Sequence, residues 1–191
     1  MIKARRSSLK PIDSTPDESG DLWVFGYGSL MWRPGFDYIA LQGALVHGWR
    51  RSLCIYSHVY RGTPERPGLV LGLDRGGACH GVAFRVAAAK REATIDYLRR
   101  RELVTSVYVE RTVLMHMADG TKASALTYVA DRNHPQYAGF LEREQLLSFV
   151  RDGAGQSGPN ADYVLNTEAH LRERGILDPT LEWLAAQLRR A

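Results

Sequence analysis

The sequence predicts an α+β fold built on a closed or strongly curved mixed β-sheet, and three observations lead there. Strand-like segments fill the first two-thirds of the chain and helical patterns fill the last third. Strand and helix do not alternate strictly, which argues against a doubly wound parallel sheet. No internal repeat and no linker divides the body, so residues 21–191 read as a single domain.

The elements follow in order. Residues 1–20 carry serine, proline and acidic side chains with almost no apolar content, and read as a flexible tail. From Asp21 the character changes. Strands are expected near residues 22–26, 41–56, 69–73, 80–86, 107–117 and 122–130, where β-branched and aromatic residues cluster. The last two are joined by "MADGTK", and Asp119-Gly120 is a strong hairpin signal. Helices are expected near 88–102, 140–152, 159–174 and 178–190. In "GILDPTLEWL" one helix ends around Gly175 and the next begins after Asp178, with Pro179 in its first turn.

Composition excludes several classes of function. With 191 residues, 45% hydrophobic and 24% charged, the chain is long enough for a real core and resembles an ordinary globular protein. No apolar run approaches the roughly 20 residues of a membrane helix. "MIKARRSSLK" lacks the apolar centre of a secretory signal, so a cytoplasmic location is expected. Cys54 and Cys79 form no C-x-x-C pair and read as reduced, buried thiols. The net charge of +4 is spread along the chain, with no basic stripe interleaved with stacking aromatics, so no nucleic-acid partner is expected.

Four stretches stand out chemically. In "VFGYGSLMW" a short apolar strand is interrupted by Gly26 and Gly28, which fits a bulge or a barrel corner, or a loop whose backbone N–H groups hold a ligand. It is no nucleophile elbow, because Met31 stands where G-x-S-x-G needs glycine, and no phosphate loop. In "TIDYLRRRE", about 100° per residue places Glu102 only about 20° from Ile95, on the side that carries Leu98. Partial burial there would raise its pKa toward neutrality and suit general acid/base work. The same pattern fits a salt bridge to a neighbouring arginine or a frayed helix end. "RGTPERPG" fixes a turn, and Arg61 is equally suited to that turn or to a carboxylate ligand. "SGPNADYV" opens a helix one turn before Tyr163, whose hydroxyl serves either packing or a pocket. The six histidines show no metal-ligand spacing, and no metal is expected.

Taken together, "VFGYGSLMWRPGF", "RGTPERPG", "YLRRRE" and "SGPNADYV" occur in an order and spacing that resemble the ChaC-type γ-glutamylcyclotransferases, from about Leu22 to the last helix. The resemblance implies a small mixed β-barrel with surrounding helices and a pocket at one end. It implies cleavage of a small-molecule γ-glutamyl substrate, characteristically glutathione, to 5-oxoproline and Cys-Gly, with no cofactor. Glu102 matches the family's catalytic glutamate, and Tyr27, Gly28, Ser29 and Leu30 match its γ-glutamyl-binding loop. Tyr108, Tyr163 and Arg61 are further pocket candidates. Two segments depart from the eukaryotic pattern: "LVTSVY" follows Glu102 in place of a Gly-Gly-Tyr, and "LCIYSHVY" precedes "RGTP". The chain thus looks like the bacterial branch. Other γ-glutamyl amino acids or amines remain alternative substrates, and an inactive γ-glutamyl-binding protein is the alternative role.

Overall fold

The computed structural model describes residues 20–190, so the expected flexible tail falls, but for Gly20, outside the described residues. Five strands form a closed barrel: β1 (Leu22–Gly26), β2 (Ala40–Ser57), β3 (Gly68–Val86), β4 (Tyr108–Met117) and β5 (Lys122–Ala130), in the spatial order β1-β3-β2-β4-β5. All neighbours are antiparallel except at the closure, where β1 runs parallel to β5 with Val24 opposite Leu126. Thr127 secures that seam, its hydroxyl donating to the Phe25 carbonyl at 3.0 Å. The barrel is filled by fully buried side chains including Val24, Phe25, Val46, Phe84 and Met115.

The segments 69–73 and 80–86, expected as two strands, are one. Gly76 and Gly77 lie between them at φ +99° and +72°, and Gly48 opposite at +80°, so the β2–β3 ribbon bends there without breaking. Beyond the bend the ribbon leaves the barrel, and both of its edges must be satisfied. The edge of β2 bonds the segment around Gln136–Ala138: Tyr56 N–H donates to Gln136 and Ala138 N–H to Cys54, each at 2.8 Å. The edge of β3 is met by side chains instead, from β4 and from a helix described next.

Four helices complete the fold: α1 (Arg91–Glu102), α2 (Arg143–Asp152), α3 (Asn160–Glu173) and α4 (Pro179–Leu188). Gly175, at φ +69°, ends α3, and Asp178 caps α4 by accepting from Thr180 and Leu181 N–H. The stretch before α3 packs backbone against backbone on the β2–β3 loop. A side chain on Gly155 would come within 2.4 Å of the Val59 carbonyl, and one on Gly62 within 2.1 Å of Gly68 N. The glycines of "RGTPERPG" therefore let the loop close on itself, Gly62 against Gly68 and Gly68 against Arg61, while Gly153 and Gly155 let the stretch before α3 dock onto it. Among the described residues no helix is long and apolar enough to cross a membrane.

Candidate active site

β1 delivers the chain to one end of the barrel, where Tyr27 and Gly28 lead into a single 3-10 turn, Ser29–Met31. The buried side chains of Leu30 and Met31 pin this turn to the core, and Met31 N–H closes on the Gly28 carbonyl at 2.9 Å. The leading N–H groups of such a turn have no partner within it and are available to a ligand. Arg51 holds the loop from below, donating through Nε to the Tyr27 carbonyl and through Nη2 to the His80 carbonyl, both at 2.6 Å. Space at Gly26 is tight: a Cβ there would lie 3.2 Å from the Phe84 ring and 3.4 Å from Leu30 Cβ.

A cavity of about 160 Å³ opens above this turn. It is lined by Tyr27 to Leu30, by Val70 and Leu71 of β3, by Glu102, and by Tyr108, Tyr128 and Tyr163. α1 places Glu102 there because Leu98 and Thr94 bury its inner face and the helix ends at the cavity wall. Burial raises the pKa of Glu102, and Arg101, with Nε 3.1 Å from Oε1, only partly opposes that rise.

The tyrosines are neutral. Burial pushes Tyr27 and Tyr108 well above the ordinary phenol value and Tyr163 up to about 12. Two of them share one backbone residue on the free edge of β3: Tyr108 donates to the Leu71 carbonyl at 2.7 Å, and Tyr163 accepts from Leu71 N–H at 3.1 Å. The Tyr163 oxygen accepts there, and its hydroxyl also has Thr167, one turn further along α3, as a hydrogen-bonding neighbour. Tyr128 donates to Glu110 Oε2 at 3.2 Å, and Glu110 holds Arg99 of α1 through two bonds of 2.8 Å.

The structure thus brings Glu102, Tyr27, Gly28, Ser29, Leu30, Tyr108 and Tyr163 around one cavity and leaves Arg61 outside its lining. Arg61 Nη1 donates to the carbonyls of Ser157 and Pro159 at 2.6 and 3.2 Å, and its guanidinium lies 5.4 Å from the centre of the Tyr163 ring. It braces the start of α3. Sequence reasoning missed Val70, Leu71 and Tyr128, which look like ordinary strand residues. It also missed Asn160, whose side chain meets β3 91 residues away. Among the described residues no group of three or more histidine, cysteine, aspartate or glutamate side chains is placed to hold a metal ion.

The ChaC-like protein family model matches residues 22–191. The chain is 33% identical over 176 residues to the glutathione-specific gamma-glutamylcyclotransferase of Escherichia coli, covering 92% of this chain and 75% of that protein. It is 34% identical over 165 residues to human glutathione-specific gamma-glutamylcyclotransferase 1, covering 83% and 74%. In three dimensions it is similar to the crystal structure of a gamma-glutamyl cyclotransferase specific to glutathione from yeast. There the TM-score is 0.78 at 20% identity, over 89% of this chain and 98% of that one, a likeness of fold. Motif order, barrel and matched length agree, and the chain belongs to the ChaC-like family.

Proposed function

We propose that this protein is a γ-glutamylcyclotransferase that converts glutathione to 5-oxoproline and Cys-Gly, with Glu102 as general acid/base. One observation carries the reading: a carboxyl group with a raised pKa shares a cavity with a glycine-bearing turn that presents backbone N–H groups. A γ-glutamyl compound brings its own nucleophile, the α-amine, and closing a ring on the γ-carbonyl needs chiefly a folded substrate and proton transfer. Glu102 takes a proton from the amine, the amine nitrogen bonds to the γ-carbon, and charge builds on the carbonyl oxygen. Donors from Gly28, Ser29 and Leu30, and the Tyr163 hydroxyl, meet the oxyanion and the α-carboxylate. The γ-carbon–nitrogen bond then breaks, and Glu102 returns the proton to the departing amine. No water is consumed and no cofactor enters.

The cavity also supports the wider substrate reading. At about 160 Å³ it is smaller than the roughly 300–1,000 Å³ that encloses a drug-sized ligand, and suits the γ-glutamyl end alone. The amine portion then lies at the rim, where other γ-glutamyl amides also fit. A cytoplasmic location accords with the free, buried thiols of Cys54 and Cys79.

The test is incubation of purified protein with glutathione and with a panel of γ-glutamyl amino acids, reading 5-oxoproline and the freed amine by mass spectrometry. Equal release of both products from glutathione, abolished in Glu102→Gln, is expected. Release from other panel members alone would move the substrate, and release from none would overturn the activity.

A further inference from the structure

We propose that Arg101 is the positioning residue of this site, one guanidinium that fixes the Glu102 carboxylate relative to the Ser29 turn. The inference rests on the cyclotransferase reading for its kinetic consequences and on geometry alone for its structural ones. Nε lies 3.1 Å from Glu102 Oε1, and Nη2 donates to Ser29 Oγ at 3.0 Å. Nη1 donates to the Tyr97 hydroxyl at 3.1 Å, to the Pro34 carbonyl at 3.2 Å and to the Arg33 carbonyl. Every N–H-bearing nitrogen of the fork is thus committed, and the partners come from α1 and from both ends of the turn that follows β1. Ser29 and Glu102 belong to elements that share no strand pairing, so this fork is a direct tie between base and binding loop.

Its neighbours make the arrangement unusual. Arg99 reaches outward to Glu110 and Arg100 is exposed, so within "RRR" only the third side chain turns toward the cavity wall. A planar, five-donor fork can hold these acceptors together, whereas a lysine ammonium on a flexible stem cannot match that geometry. Among the described residues Arg101 is also the one cation acting on Glu102; the other groups coupled to that carboxyl are the phenols Tyr27, Tyr108, Tyr128 and Tyr163. Removing the cation leaves burial unopposed.

The experiment compares wild type with Arg101→Met, Arg101→Lys and the surface control Arg100→Met. It measures kcat and KM for glutathione across pH, and titrates the Glu102 carboxyl by NMR of protein labelled with 13C-glutamate. Arg101→Met is expected to lose kcat on the order of 10²-fold, as a displaced catalytic group does, and to titrate Glu102 at higher pH. Arg101→Lys is expected to keep the wild-type titration but recover only part of kcat, while Arg100→Met matches wild type in both. An unchanged Glu102 titration in folded Arg101→Met, or kcat lost only in proportion to unfolded protein, would overturn the proposal. If wild type turned over no γ-glutamyl compound, the activity would fall while the NMR titration still decided the role of Arg101.

Discussion

The side-chain amide of Asn160 grips both backbone groups of Leu69, its Oδ1 accepting from the N–H at 2.7 Å and its Nδ2 donating to the carbonyl at 2.8 Å. A fully buried carboxamide thus takes the place of a neighbouring strand on the free edge of β3. Asn160→Leu leaves both groups of Leu69 buried and unpaired, at about 1–3 kcal/mol each. We expect a loss of at least about 2 kcal/mol in urea unfolding, together with reduced kcat because Tyr163 sits one turn further along α3. Wild-type stability in that variant would show that water satisfies Leu69 instead.

Glu102 should weaken the fold that it makes active. Its folded pKa lies above the ordinary glutamate value, so between those two values the folded chain binds more protons than the unfolded one. Stability from this group therefore falls as pH rises through that window. Glu102→Gln is expected to be inactive yet to melt higher than wild type at pH 8, with the difference narrowing toward pH 4. Calorimetry at the two pH values checks this, and a variant that melts lower at pH 8 would contradict it.

Asp74 behaves oppositely. Burial disfavours its charge, but Arg132 at 2.7 Å, the Arg75 backbone and the Tyr137 hydroxyl at 3.2 Å together hold its pKa below the usual aspartate value. Arg50 adds a further contact at 3.1 Å. This stabilisation is complete above the unfolded value of about 3.9 and is lost as pH falls through the folded one. The arginines left behind in Asp74→Ala are nearly half exposed and stay hydrated, so the variant should cost about 1.5–3 kcal/mol at pH 7, and the cost should shrink on acidification.

Gly81 sets how closely β1 can approach β3. A methyl group there would lie 2.4 Å from the Gly26 carbonyl and 2.7 Å from the Phe25 ring, both close to the binding turn. Gly81→Ala is expected to lower the melting temperature by several degrees and to raise KM more than an equally destabilising substitution elsewhere. Unaltered KM would mean that β1 shifts without carrying the turn with it.

Ser106 lies four residues after Glu102 at φ +57°, the only non-glycine residue at positive φ among those described. Ser106→Gly should be more stable than Ser106→Ala by about 1 kcal/mol, read from paired urea curves. Equal stabilities would show that the loop relaxes out of this conformation.

The barrel was legible in the sequence because its strands alternate or cluster apolar residues and its β4–β5 turn carries Asp119-Gly120, while Pro179 marked the start of α4. The two strands expected near 69–73 and 80–86 are one, because the positive φ values of Gly76 and Gly77 bend a continuous strand without ending it. Helical periodicity placed Glu102 on the inner face, and the family resemblance supplied the loop that faces it. A salt bridge from Glu102 to a neighbouring arginine was legible, but not that Arg101 makes it, because three successive arginines look alike until α1 is docked. Leu71 was missed because its contribution is its backbone, on which the side chain gives no information. For Arg61 the residues alone left a turn role and a carboxylate-binding role even, because sequence shows charge but not the carbonyls of Ser157 and Pro159, almost a hundred residues away, to which it donates.

The parallel seam between Val24 and Leu126 also governs when the protein can first work. Tyr27 to Leu30 are among the earliest described residues to leave the ribosome, yet the barrel that fixes them closes only after residue 126, and Tyr163 arrives later still. Contacts across such separations are entropically costly and form late. A nascent chain therefore carries the binding turn long before it has a cavity, and a fragment ending before α3 lacks the bonds that Asn160 and Tyr163 make to β3. Synthesis and turnover are separated in time by the topology itself.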